Sequence, residues 1–214
     1  MYAIIGIVNT KSINRSEWVV GLAVILAAVA VWAQVRIVPG GELTLYDLFP
    51  VFGLIAFGLM WTHFVYGALR RYFKAEKPTQ YTYGTVSSGI VLAMVILHPA
   101  LLWFSLWLDG FGLPPQSYLT AYSSQLLAVL CGSVSLGIFL AYELKRFFGD
   151  KQWWKYVVYL QAVGMIAIFY HALELGGELD VAWFRMLWWL YFVSFGVSVV
   201  YSYYHDYRIK KEKA

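Results

Sequence analysis

The sequence predicts an all-α integral membrane protein, a six-transmembrane-helix bundle with both termini cytoplasmic. Three observations predict it. Of 214 residues, 61% are hydrophobic and only 13% are charged, about half the charged share of a soluble domain. Mean hydropathy is +0.63, and the apolar residues gather into runs long enough to cross ~30 Å of hydrocarbon. Fourteen of the sixteen Lys and Arg residues fall in alternate connections, the bias that keeps basic loops on the cytoplasmic face.

The spans follow in order, within one domain over 1–214. The first eight residues, MYAIIGIV, are apolar but too short to cross or to serve as a secretory signal, which opens on a charged region. The first span covers about 18–35 and ends before Arg36 and the break Pro39-Gly40-Gly41. The second covers 48–68, before Arg70, Arg71, Lys74 and Lys77. The third covers 83–108 and stops at the loop DGFGLPPQ. The fourth covers 118–142, and Lys145, Arg146 and Lys151 follow it. The fifth covers 154–174, and Gly176-Gly177 separates it from the sixth, 182–203. On the face opposite the basic loops only Arg36 and Arg185 are cationic, among Glu42, Asp47, Asp109, Glu178 and Asp180. Trp and Tyr near the span ends read as interface anchors, and Gly132 and Gly137 as close helix packing.

Several classes are excluded. One cysteine, Cys131, rules out an internal disulfide framework, a Cys-based zinc site and a C-x-x-C-H haem attachment. No G-x-G-x-x-G or Walker pattern is present, so no nucleotide- or flavin-binding unit is expected. The net charge of +4 belongs to topology and points to no nucleic acid. The expected setting is a lipid bilayer, as a multi-pass protein of the cell (plasma or inner) membrane.

Ionisable groups within spans are costly and start as functional candidates. Depth separates the four histidines. His98 lies 17 positions beyond Tyr81, where the third span enters, and His171 lies 17 positions beyond Trp154, where the fifth enters. At about 1.5 Å per residue both imidazoles sit roughly 25 Å along helices of the same direction. Such a pair suits bis-histidine ligation of one haem b. A lone intramembrane His would instead read as an interhelical contact, and zinc or copper lacks an evident third ligand. Pro99 should kink the third helix beside His98. Glu174 either orients the His171 ring or marks the water interface. Arg185 either pairs with haem propionates or anchors the interface, and Arg36 reads as an anchor. His63 and His205 are interface histidines. The sharper reading for His63, with Trp61 and Tyr66, is an inner-leaflet quinone or electron-donor site.

The layout resembles the ferric reductase-like transmembrane domain family, which includes the membrane cores of ferric reductases and NADPH oxidases. It also includes the haem-binding membrane subunit of a bacterial methionine sulfoxide reductase system. The resemblance covers roughly 48–203. It rests on ALRR closing the second span, His98 in VILHPALL, and WKYVVYLQAVGMIAIFYH in the fifth. That stretch is similar to the family pattern W-x-x-L-H-x-x-x-Y…H at Trp154 and His171. The resemblance implies six helices with haem ligands on the third and fifth. The family usually carries a second ligand some 13 residues inward on each. Here those places hold Val158 and Thr85 or Gly84, and the pattern's Tyr falls on Ala162. One outer haem is therefore implied.

The expected function is a single-haem membrane cytochrome, passing electrons from a quinol or a redox partner protein to an outer-face acceptor. A ferric reductase-like oxidoreductase subunit, acting on ferric ions or a periplasmic substrate, shares that haem and differs in the acceptor. The alternative is a haem-free membrane scaffold or transporter component whose histidines are packing contacts.

Overall fold

The computed structural model describes residues 10–37, 40, 42–75, 82–143, 151 and 154–213. Among them the chain forms helices and no strand. These are α1 (Thr10–Arg36), α2 (Leu45–Tyr72), α3 (Tyr83–Leu108), the short α4 (Gln116–Ala121), α5 (Leu126–Glu143), α6 (Trp154–Leu175) and α7 (Ala182–Lys213). Five segments are long and apolar enough to cross a bilayer: Ser12–Arg36, Leu45–Tyr72, Tyr83–Leu108, Ser123–Tyr142 and Ala182–Glu212. A shorter apolar stretch, Tyr159–Leu175, lies in α6. The protein is an α-helical membrane protein suited to lipid.

In lipid, apolar side chains gain little by leaving an equally apolar solvent, so helices associate through close packing and a few polar bonds. Helix α2 is the pillar. Within its span 56% of residues are buried, against 28% or less for the other four. It packs along α1, α3 and α7, while α5 packs along α6. A Cβ at Gly58 would overlap the Val24 side chain, so glycine there is what lets α1 and α2 meet. An aromatic stack joins the two groups of helices: Phe57 lies on Trp188 at 4.1 Å, and Phe169 of α6 stacks on Phe192 at 4.2 Å. Offset ring pairs of this kind add about 0.5–1.5 kcal/mol each beyond contact area.

Ion pairs close both ends. We call the end holding the α1–α2 and α6–α7 connections the upper end. There Arg36 reaches Glu178 at 3.1 Å and Asp47 at 3.4 Å. Asp47 also caps α2, accepting from the Thr44 amide at 2.9 Å and its hydroxyl at 2.7 Å. At the lower end Arg70 donates to Glu17 at 2.7 Å and to Asn14 at 2.6 Å. That pairing explains why α1 begins well before the expected 18: its polar first turns have partners. Helix α7 likewise continues through the basic tail, aided by Arg208 to Glu212 at 3.2 Å, one turn apart.

The fourth expected span differs most. It is broken into α4, a 3-10 turn at Ser123–Gln125, and α5. Tyr122 leaves the helical region (φ −124°, ψ 34°), and its hydroxyl bonds that of Tyr46 at 2.8 Å. The Gln125 side chain donates to the Glu174 carbonyl at 3.1 Å. Serine pairs compete for backbone bonds and weaken a helix, and here tertiary partners take over. Helix α3 runs through Pro99 without interruption.

Replacing Gly58 with Leu should overpack the α1–α2 contact, at a cost of about 1–3 kcal/mol. The check is the melting midpoint in detergent, which should fall by several degrees relative to the same change at Gly89, where a Cβ meets nothing. Equal midpoints would remove the close-contact account.

Candidate functional site

The helices carrying His98 and His171 do not pack closely on each other. Helix α3 lies on α2, α6 lies on α5, and a cavity opens between the pairs. Both imidazoles line it, with ring centres 6.3 Å apart and planes at 81°. The matched depth expected from the sequence is met side by side.

Each ring is tied to the helix that supports its own. His98 Nδ1 lies 2.8 Å from the Phe49 carbonyl oxygen of α2, and His171 Nδ1 lies 2.8 Å from the Ala128 carbonyl oxygen of α5. A carbonyl oxygen can only accept, so Nδ1 carries the proton in both rings. Each neutral imidazole is then left with an unshared pair on Nε2. No hydrogen bond among the described residues takes up either Nε2.

Two glycines make room for this arrangement. A Cβ at Gly53 would sit 2.8 Å from the His98 ring, and one at Gly132 would sit 2.6 Å from the His171 ring. Any side chain at either place would push the ring from its carbonyl. Gly132, which reads from sequence as a helix-packing residue, is here the floor beneath a histidine.

The upper rim of the cavity is polar. Arg36, Tyr46, Tyr118, Tyr122 and Glu178 line it. Trp103 Nε1 donates to the Tyr118 hydroxyl. Burial pushes the Tyr118 phenol up, and burial, with Tyr46 beside it, pushes Tyr122 well up. Both stay protonated and keep a donor. Deeper in, Trp188 is 1% exposed, and its buried indole Nε1 has no partner. An unmet donor in a dry wall costs about 1–3 kcal/mol, which a bound group with an acceptor would relieve.

The other candidates fall in different places. Arg185 is exposed in the first turn of α7 and does not line the cavity, whereas Arg36 does. Glu174 is exposed, and its backbone carbonyl, not its carboxylate, accepts from the Gln125 side chain of the 3-10 turn. His205 is near Asp206 at 3.5 Å on the lower end of α7. His63 faces a second, lower cavity, whereas Trp61 and Tyr66 do not line it. Trp61 instead donates to Ser194 at 2.9 Å. The Val158 side chain, where the family pattern has its inner ligand, lies outside the described residues. No group of three or more His, Cys, Asp or Glu side chains with metal-binding geometry occurs among the described residues.

The residues missed in the sequence are Gly53, Trp188, Tyr46 and Tyr122, together with the carbonyls of Phe49 and Ala128. Gly53 had a signal available. It lies eight residues into α2 from the upper end, and His98 lies ten from the upper end of α3, so depth alone places them as neighbours. Carbonyl partners leave no mark in composition. No family model, no curated protein and no solved structure matches this chain.

Glu178 is 1% exposed and answers the Arg36 guanidinium at the rim. Replacing it with Ala should leave that charge without its buried partner, at about 2–3 kcal/mol, since Arg36 retains some solvent. The melting midpoint in detergent should drop well below that of Glu42→Ala, whose side chain is exposed. Matching midpoints would show that the pair carries no stability.

Proposed function

We propose that this chain is a membrane-embedded b-type cytochrome holding one haem between His98 and His171. It spans the cell membrane six times with both termini cytoplasmic and the haem near the outer face, in the manner of the ferric reductase-like family it resembles. The carrying observation is the geometry of the two imidazoles: centres 6.3 Å apart, each Nδ1 spent on a carbonyl. His98 and His171 are the residues that would hold the haem iron, each through the Nε2 that no hydrogen bond among the described residues takes up.

Other features support the fit. Metal-bound histidines nearly always donate their remaining N–H to a carbonyl or carboxylate, which fixes the tautomer. Two imidazoles leave a tetrahedral zinc ion two ligands short, whereas a macrocycle brings its own four nitrogens. Two Nε2 lone pairs on one cavity with no donor to share favour an ion between them over bare packing contacts. When bound, such a haem supplies a one-electron ferric–ferrous couple in an apolar site.

The chain's part is positional. The Phe49 and Ala128 carbonyls orient the rings, and Gly53 and Gly132 give them clearance. At the rim the bonded Tyr46–Tyr122 hydroxyl pair keeps one hydrogen for a guest, and Arg36, its charge already met by Glu178 and Asp47, borders the cavity where the sequence had offered Arg185. Electrons would arrive from a quinol or a redox partner protein and leave to an acceptor at the outer face.

The reduced-minus-oxidised spectrum of the purified protein should show sharp low-spin b-type bands. His98→Ala and His171→Ala should each abolish them, and Gly132→Val should do so by displacing a ring without touching a ligand. A colourless protein from haem-replete cells would sink the reading. Topology has its own check: a C-terminal green fluorescent protein fusion should fluoresce, and alkaline phosphatase fused after Gly177 should be active. The reverse pattern would invert the orientation.

A further inference from the structure

The lower cavity repeats the register of the upper one. From Gly53 to His63 on α2, from His98 back to Ser88 on α3, from Gly132 to Tyr142 on α5, and from His171 back to Gln161 on α6, each step is ten residues. Ten helical residues rise about 15 Å. His63, Ser88, Tyr142 and Gln161 all line the lower cavity, so it lies directly beneath the upper one as a second storey. Met60 and Phe139 line both and form the partition between them.

The lower storey does not repeat the chemistry. His63 is its one lining imidazole, and Gln161 stands on α6 at the level where a second ligand would be needed. A second bis-histidine site is therefore ruled out among the described residues. Ser87 spends its hydroxyl hydrogen on the Tyr83 carbonyl at 2.6 Å, so it accepts from His63 Nε2 at 2.6 Å, which leaves Nδ1 of the neutral ring as an acceptor for a guest. Gln161 Nε2 donates to the Ile138 carbonyl at 3.1 Å and retains a second hydrogen.

Charge narrows the guest further. Arg71 lines the cavity, but its guanidinium is committed to Asp206 at 3.6 Å, Ser202 at 3.5 Å and the Gly67 carbonyl at 3.2 Å. A phosphate headgroup would meet a cation already neutralised and the Asp206 carboxylate beside it. A neutral head suits the site better. The walls are apolar and aromatic, with Phe64 and Phe139, and Tyr159 against Tyr203 at 5.4 Å. The volume is about 490 Å³, within the roughly 300–1,000 Å³ range of small-molecule sites.

We propose that this lower cavity binds a lipid-soluble quinol, its ring against Phe139, one hydroxyl donating to His63 Nδ1 and the opposite oxygen accepting from Gln161. A quinol ring is flat, uncharged and carries two opposed hydroxyls, each able to donate or accept, which matches an acceptor on α2 and a donor on α6. Its service as electron donor across the Met60–Phe139 partition rests on the cytochrome reading. Its binding does not.

The test uses the full chain in lipid nanodiscs with an arylazido-quinol as photolabel and decylubiquinol as competitor, both kept reduced. Label should map to peptides of α2 around His63 and of α6 around Gln161, and decylubiquinol should displace it. His63→Phe and Gln161→Leu should each weaken that competition at least ~10-fold, about 1.4 kcal/mol, with the elution profile of the parent. If one variant fails to fold, the other and the parent's label map decide. Label spread over lipid-facing surfaces without competition would overturn the proposal, as would variants that compete like the parent. A colourless preparation labelled at these two peptides would sink the cytochrome and keep the quinol site. A haem-bearing preparation with no displaceable label would do the reverse.

Discussion

A polar group in the hydrocarbon core must find its hydrogen bond inside the protein, because there is no water to supply one. His98 and His171 meet this demand by reaching across to carbonyls of neighbouring helices, at 2.8 Å in both cases. The consequences spread outward. Helix α3 must lie close on α2 and α6 close on α5, or the rings lose their partners. Gly53 and Gly132 must lack side chains, since a Cβ would fall within 2.8 Å of a ring atom. Because each histidine is held by its own supporting helix, the two do not need to touch. The bundle can therefore keep a gap at its centre.

The rest of the structure makes that gap affordable to the fold. The aromatic stack of Phe57, Trp188 and Phe169 replaces, on the α7 side, the helix contact that α3 and α6 do not make. Above, Arg36 gathers Glu178 from the last connection and Asp47 from the cap of α2. The end of α1, the start of α2 and the last connection are thus tied at the rim. Below, Arg70 ties α2 to Glu17 and Asn14 on α1. These pairs hold the helix ends where close packing alone would leave sliding along the axes nearly free.

The helical, membrane-embedded character was legible because it depends on quantities that add along the chain, namely apolar run length and charge spacing. The juxtaposition of His98 with His171 was legible for a related reason. Depth in a bundle is a count of residues, and 17 equals 17. Rotation about each axis is not such a count. Whether a residue at the right depth faces the centre depends on how helices pack, and that separated Arg36, which borders the cavity, from Arg185, which does not. The break at Tyr122 was hidden for the same reason, since its cause is the Tyr46 hydroxyl 76 positions away. Gly132 was visible, but its role was not: a glycine in a span reads the same whether it admits a helix or a ring.

Counting by depth also gives the lower storey its meaning. Four helices step from one cavity to the other by the same ten residues, about 2.8 turns. Each lower side chain therefore lies about 80° round its helix from the upper one, yet residues of α2, α3, α5 and α6 border a cavity at both levels. The inward face of each helix is wide enough to line two levels about 15 Å apart. What differs is the residue at each rung. On α6 histidine gives way to glutamine, and on α3 to serine, so the paired imidazoles of the upper level are absent below while hydrogen-bonding character persists. On the proposed reading, the partition of Met60 and Phe139 then separates two kinds of chemistry on one scaffold. A thioether and a phenyl ring exclude water and charge, yet are thin enough to keep the two guests within a few side-chain contacts of each other.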